Sequence, residues 1–323
     1  LKKMTKFVLP LLLSVSLLSA CGANKSNNEA AATNNASTNA PAATEQAAGY
    51  VPETLTVQFV PSQNADTLEA KAKPLEQLLS DKLGIPVKVS ISTDYNTIIE
   101  AMASKKVDVG FLPPTAYVLA KDKGAAEVIL QAQRFGVQDD SGAPTDQLVD
   151  FYKSMIIVKK DSDIKTIEDL KGKKIAYQNV TSSAGFVWPA GKLLEAGIDP
   201  LKDVSAVTVK GHDQGVIAVL NGDVDAAAIF QDARTTVAKD FPTVFDDTRV
   251  LTYTENIPND TISVRSDMNA EWIAKIQDAF ISLGQDDATR QIIFDIYSHQ
   301  GYVKSEDSIF NIVREYGEKV KTE

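Results

Sequence analysis

Cysteine is almost absent: Cys21 is the only one in 323 residues. An internal disulfide framework is therefore excluded, and so is paired-thiol chemistry. Histidine is nearly as scarce. His212 and His299 stand alone, too few for a histidine-rich metal site. Basic charge is also in deficit, with 33 Lys and Arg against 43 Asp and Glu and a formal net charge of −10. That balance argues against nucleic acid as a partner. There is no glycine-rich nucleotide loop, no nucleophile with a base at recognisable spacing and no metal-ligand cluster. An enzyme, a cofactor and a metal are accordingly not expected. The apolar run from Phe7 to Leu18 is too short to span a membrane, which takes about 20 residues.

That run has a different meaning. Lys2, Lys3 and Lys6 precede it, and it ends in Leu18-Ser19-Ala20-Cys21. Positive charge, a short apolar core and small residues at a cleavage point make a secretory signal, here residues 1–20. The cysteine directly after Leu-Ser-Ala resembles the lipobox of bacterial lipoproteins. In that family the thiol is acylated and becomes the new N-terminus. The resemblance implies that Cys21 is a lipidation site and that the chain is exported and lipid-anchored. Its place would then be the outer face of the cytoplasmic membrane, as in a Gram-positive organism. Residues 21–50 fit a tether. From Gly22 to Gly49 they are Ala, Asn, Thr and Ser with scattered Glu and Lys. They have too little apolar surface to offset the entropy of ordering, and read as a flexible spacer.

About 270 residues remain, enough for two domains. They alternate between strand-like and helix-like patterns. Leu55–Val60 alternates as a half-buried strand, and Ala65–Leu83 has helical spacing up to Gly84. Further strands are expected at Val87–Ile91, Val107–Phe111, Val128–Phe135, Met155–Val158, Lys174–Tyr177, Ala206–Val209 and Val224–Phe230. Helices are expected at Tyr95–Ala103, Pro114–Lys121, Ile164–Leu170, Val187–Ala196 and Val216–Leu220, and from Ala270 onward. Such alternation indicates an α/β protein with mainly parallel sheets. Ile98–Gly110 also echoes Gly215–Ala227. Each is a helix, a polar turn and then Val-Asp before a small-residue strand. The echo suggests two lobes of like construction with a ligand between them.

Several segments carry a wider resemblance. They are Asp94-Tyr95 with Ile98-Ile99-Glu100-Ala101, Lys106–Phe111, Tyr152–Val158, Thr181–Pro189, Gly211-His212 with Val224-Asp225, and Ile257-Pro258-Asn259-Asp260. In this order and spacing, behind a lipobox, the chain resembles the phosphonate, phosphite and phosphate binding proteins of ABC importers. The resemblance implies a two-lobed, periplasmic-binding-protein-like (type II) α/β fold hinged by two crossing segments. These would lie near Ser154–Val158 and Ile262–Val264, giving lobe 1 as 51–154 plus 264–323 and lobe 2 as 155–263. It also implies a small phosphonate- or phosphate-type ligand, an ABC permease with its ATPase as partners, and a monomer. A ligand-sensing subunit for a membrane receptor would need the same cleft.

Thr181-Ser182-Ser183-Ala184-Gly185 follows a strand and opens a helix, where free N–H groups and the helix dipole favour an anion. A Ser/Thr cluster there also fits a plain N-cap. With the resemblance, Thr181, Ser182, Ser183 and Ala184 become the oxyanion site. Ala184 stands where the family typically shows a serine, so its backbone N–H acts alone. Gly185 would let the ligand approach closely. His212 is implied as a further donor through either ring nitrogen, and an adjacent anion would favour its charged form. Tyr95 and Tyr152 match cleft-lining tyrosines, with packing as the alternative. Asp232 and Asp260 match carboxylates that hold an ammonium end, which implies an aminoalkylphosphonate such as 2-aminoethylphosphonate. Alternatively, one of them accepts a hydrogen bond from protonated phosphate or phosphite.

Overall fold

The computed structural model describes residues 49–139 and 144–321. The signal segment, Cys21 and nearly all of the spacer lie outside the described residues. No described helix is long and apolar enough to cross a membrane.

The strands are β1 (Leu55–Phe59), β2 (Val87–Ile91), β3 (Val109–Leu112), β4 (Ala126–Val137), β5 (Pro144–Val149), β6 (Phe151–Lys159), β7 (Lys174–Tyr177), β8 (Ser205–Thr208), β9 (Ala226–Phe230), β10 (Thr248–Pro258), β11 (Thr261–Arg265) and β12 (Gly301–Lys304). The helices are α1 (Ala65–Ala72), α2 (Pro74–Leu83), α3 (Tyr95–Ala103), α4 (Pro114–Asp122), α5 (Trp188–Glu195), α6 (His212–Asn221), α7 (Val244–Asp247), α8 (Ala270–Leu283), α9 (Asp287–Tyr297) and α10 (Asn311–Val320). The helix expected over Ala65–Leu83 is broken. Pro74 has no N–H to donate, so it ends α1 and becomes the first residue of α2. Gly84, at φ 71°, closes α2 in the left-handed conformation that only glycine adopts freely.

The strands form two sheets. One runs β12-β4-β11-β3-β1-β2, with β5 paired to β4; the other runs β10-β6-β9-β7-β8. The architecture is the expected two-sheet α/β arrangement, but the sheets are mixed. Pairings of β1 with β2 and β3, and of β7 with β8 and β9, are parallel; the other six are antiparallel. The antiparallel members are the strands on either side of the two crossings, β5, β6, β10 and β11, together with β4 and β12.

The chain passes between sheets at Asp150 and again at Asn259-Asp260. The two crossings are tied together: Asn259 N–H donates to the Asp150 carbonyl at 2.8 Å, and Gln131 Nε2 donates to the same oxygen at 3.0 Å. Ser154–Val158 and Ile262–Val264, expected as the crossings, lie inside β6 and β11. Their apolar side chains are sheet interior. The C-terminal segment does not keep to one sheet's side either. Tyr316 of α10 stacks on Trp188 of α5 at 4.4 Å, while Phe310 just before α10 meets Tyr117 of α4 at 4.9 Å.

The repeated Val-Asp has a shared job. Asp108 accepts from the Thr56 N–H at 2.8 Å, and Asp225 accepts from the Lys174 N–H at 2.8 Å. Each aspartate thus pins the start of the neighbouring parallel strand, β1 in one sheet and β7 in the other. Asp108 is 3% exposed and also faces Arg265 at 3.2 Å, whereas Asp225 is exposed. Asp108→Ala should therefore lower stability by about 2–3 kcal/mol, because it removes a buried acceptor from the Thr56 N–H and from Arg265, whose guanidinium keeps Asp267 at 2.6 Å. Asp225→Ala should cost only about 1 kcal/mol. Urea-denaturation midpoints of the two variants check this; equal losses would contradict it.

Candidate ligand-binding cleft

Between the sheets lies a cavity with about 40 Å³ of room for water centres. One water needs on the order of 10–15 Å³ of such room. The cavity therefore suits a few waters or one small tetrahedral oxyanion. Lobe 1 contributes Ser62 and Gln63 after β1, Tyr95 opening α3, Arg134 from β4 and Tyr297 closing α9. Lobe 2 contributes Ser182 and Ala184 before α5, His212 opening α6 and Phe230 ending β9. Tyr152 and Asp260 sit beside the crossings.

Of the residues expected to bind, Ser182, Ala184, His212, Tyr95, Tyr152 and Asp260 line this cavity. Thr181 and Ser183 lie beside it but are engaged. Thr181 donates through both its N–H and its hydroxyl to Asn179 Oδ1, at 2.9 and 2.8 Å. Ser183 Oγ accepts from the Thr115 N–H at 3.0 Å and lies 2.9 Å from the Thr115 hydroxyl, linking the two lobes. Asp232 is not brought to the cavity. Its carboxylate is gripped by Arg234, with Nε at 3.0 Å and Nη2 at 2.5 Å, and accepts from the Arg234 N–H at 3.0 Å. It lines an adjoining, wider groove that shares Arg134 and Phe230 with the cavity. The short reach of aspartate and the arginine two residues on favour this local ion pair. The expected pair of carboxylates around one ammonium is not assembled.

The loop from Thr181 to Gly185 is built by capping. Ser182 Oγ accepts from Gly185 N–H and donates to Gln178 Oε1, both at 3.0 Å. Ser154 Oγ donates to the Ala184 carbonyl at 2.6 Å, tying the loop to β6. Gly185 is needed for a protein contact rather than for the ligand. A Cβ there would stand 2.5 Å from Gln178 Cβ.

His212 is buried. Burial pushes its pKa down from 6.5 to about 3, so the ring is neutral. Its Nδ1 accepts from the Phe230 N–H at 3.3 Å, which leaves the proton on Nε2. The donor offered to a ligand is therefore Nε2–H.

Sequence reasoning missed Arg134, Gln178, Tyr297 and His299. Arg134 Nη2 lies 3.5 Å from Asp260 Oδ2, and its guanidinium covers the Tyr152 ring at 4.7 Å. His299 Nε2 is also 3.5 Å from that oxygen. Arg134 is the one cation of β4, and that was its available signal. Gln178 receives the Tyr95 hydroxyl at 3.1 Å across the cleft, and Asn179 donates to Asp94 at 2.8 Å in the same way. His212 N–H donates to the Ser62 carbonyl at 3.0 Å. The lobes thus meet through direct hydrogen bonds.

Residues 57–310 match the family described as ABC transporter, phosphonate, periplasmic substrate-binding protein. The chain belongs to that family. Its members are transporter binding proteins rather than enzymes. A phosphate-import protein of Mycolicibacterium smegmatis is 33% identical over 55% of this chain and 56% of its own length. A phosphonates-binding periplasmic protein of Escherichia coli is 26% identical over 70% of this chain and 65% of its own. The chain thus spans less than two thirds of either relative. Among solved structures, a binding protein component of an ABC phosphonate transporter from Pseudomonas aeruginosa superposes with a TM-score of 0.71 at 21% identity, covering 82% of this chain and 85% of that one. PhnD1 of Prochlorococcus marinus in complex with methylphosphonate gives 0.70 at 20% identity, covering 84% and 99%. These two likenesses establish the shared fold.

Burial also lowers the pKa of His299. Both histidines bind protons in the unfolded chain before they do in the folded one. Stability should therefore be full above about pH 6.5 and fall as pH drops below it, by at most about 1.4 kcal/mol per pH unit for each ring. Denaturation midpoints from pH 7.5 to 5 should show this decline, less steep in His212→Asn. Ring-nitrogen NMR should find His212 neutral and Nε2-protonated at pH 5; an imidazolium there would refute the assignment.

Proposed function

We propose that this protein is the extracytoplasmic solute receptor of an ABC importer, and that its cargo is a small phosphorus oxyanion of the phosphonate, phosphite or phosphate type. The observation that carries the reading is the partly open cavity with about 40 Å³ of room for water centres. It is lined from both lobes by neutral donors and one arginine, and it opens onto the loop before α5. Binding of an oxyanion by Ser182, Ala184, His212, Tyr95, Tyr152 and Arg134 would bridge the lobes and favour the closed state, because only that state makes both sets of contacts. Thr181 and Ser183 support the loop in this reading. A permease and its ATPase would receive the closed form, and acylation at Cys21 would hold the receptor beside them.

An aminoalkyl group fits less well. Its ammonium would have Asp260 but not Asp232, and Asp260 already faces Arg134 and His299. Isothermal titration of the purified chain with phosphate, phosphite, methylphosphonate and 2-aminoethylphosphonate tests the reading. At least one of the first three should bind, and 2-aminoethylphosphonate should bind no tighter than methylphosphonate. Preference for the amine-bearing ligand by tenfold or more would restore the ammonium role. Failure of all four to bind would end the oxyanion reading.

A further inference from the structure

The first turn of α6 faces the other lobe. Its leading N–H, on His212, donates to the Ser62 carbonyl at 3.0 Å, and Gln178 Nε2, after β7, reaches the same oxygen at 3.4 Å. One residue on, the Asn64 N–H donates in the opposite direction, to Asp213 Oδ2 at 3.2 Å. Ser62-Gln63-Asn64, between β1 and α1, thus lies along Gly211-His212-Asp213 at the opening of α6, and each side supplies one N–H. Burial raises the pKa of Asp213, as expected of a carboxylate that the opposite lobe shields from water.

Gly211 marks the tightest point of this seam. A Cβ there would stand 3.0 Å from Gln63 Cα and 3.1 Å from the Gln63 carbonyl carbon, both backbone atoms of the other lobe, and would collide with the Asp213 carboxylate. The Gly211 backbone is extended, at φ −129° and ψ 161°, which any residue adopts. Its own conformation therefore does not call for glycine. The approach of Gln63 does, and that demand lapses when the lobes part.

The seam is made weakly. Closing it leaves Asp213 Oδ1 buried with no hydrogen-bond partner among the described residues, a cost that offsets part of what the crossing bonds contribute. Such a contact tips a balance between open and closed without locking it. Ser62, Gln63 and His212 also line the cavity, whereas Gly211, Asn64 and Asp213 do not.

We propose that Ser62–Asn64 and Gly211–Asp213 form a closing clasp that holds part of the ligand-free population shut, with Gly211 as the residue that permits closure. The inference deepens the receptor reading and rests on it. Gly211 and Asp213 are positioning residues: they act on the closing equilibrium and not on contacts inside the cavity. They therefore scale the affinity of every ligand by one factor.

The test uses the full chain as Cys21→Ser, with spin labels at Lys82→Cys in α2 and Lys202→Cys before β8, both exposed sites on different lobes. Pulsed dipolar spectroscopy reads the distance between the labels without ligand and with methylphosphonate or inorganic phosphate. With no ligand, the chain without further change should show a short and a long population. Gly211→Val should lose the short one, and Asp213→Ala should deplete it about threefold. Circular dichroism should find both variants folded. Calorimetric affinity should fall about tenfold or more in Gly211→Val and about threefold in Asp213→Ala, by the same factor for both probes. A short population undiminished in both variants overturns the proposal, as does its absence from the ligand-free parent. Losses that differ more than about threefold between the probes would mark the two residues as ligand contacts and overturn it too. If neither probe binds the parent chain, the oxyanion reading falls, and the ligand-free distances still decide the clasp.

Discussion

Arg134 and Asp260 face one another inside the cleft, and the surrounding chemistry depends on that opposition. Either charge alone would be costly to bury. Together they cost less, and each keeps capacity for a third party because neither is tightly bonded to the other. The pair also joins two parts of the fold. Arg134 projects from a long strand that pairs with β5, β11 and β12, while Asp260 sits on a crossing segment. Its carbonyl accepts from Ala132 N–H at 2.9 Å, so the crossing is stitched to the arginine's own strand. Electrostatics and hinge geometry are therefore fixed by the same few residues. Four tyrosines and two histidines then settle into neutral forms around the pair, which makes the cleft polar without giving it net charge.

The two lobes repeat one construction. In each, a helix runs into a Val-Asp turn and a central parallel strand, and the aspartate clamps the backbone of the strand beside it. The lobes then diverge at the cleft. One presents the openings of α3 and α4, and the other the serine loop and the opening of α6. Both bring their functional groups to the carboxyl ends of the parallel strands, where backbone N–H groups at helix starts are concentrated. Stacking of Tyr316 on Trp188 adds a third tie, carried by the C-terminal helix.

Much of this was legible from local pattern. Alternating Leu55–Phe59, the capped helix after Asp94 and the small-residue strands after each Val-Asp follow from periods of two and 3.6. What stayed hidden has a common physical cause. The strands β5, β10 and β12 are partly exposed or short, so they lack a clean apolar signature. The crossings that the resemblance put near Ser154–Val158 and Ile262–Val264 fall a few residues earlier, at Asp150 and Asn259-Asp260, because those apolar stretches are already paired within β6 and β11. In the cleft, the family pattern, with position near a helix start for the serine loop, found Ser182, His212 and Tyr95. They could not distinguish Asp232, whose partner is two residues away, from Asp260, whose partners are 126 and 39 residues away. Long-range pairing of Arg134 and His299 with Asp260 is a property of the fold and leaves no mark in the neighbouring sequence.

The hydrogen bonds from Tyr95 to Gln178, from Asn179 to Asp94 and from Thr115 to Ser183 join the lobes without any ligand atom between them. They give the closed shape some stability of its own. A receptor built this way keeps a resting fraction of molecules that are shut and empty, and those molecules present to a membrane partner the same outline as loaded ones. Shape alone is then a noisy signal. A partner that spends energy on each docking gains by sensing what is inside the cleft, or by docking so briefly that an empty receptor reopens before the energy is committed.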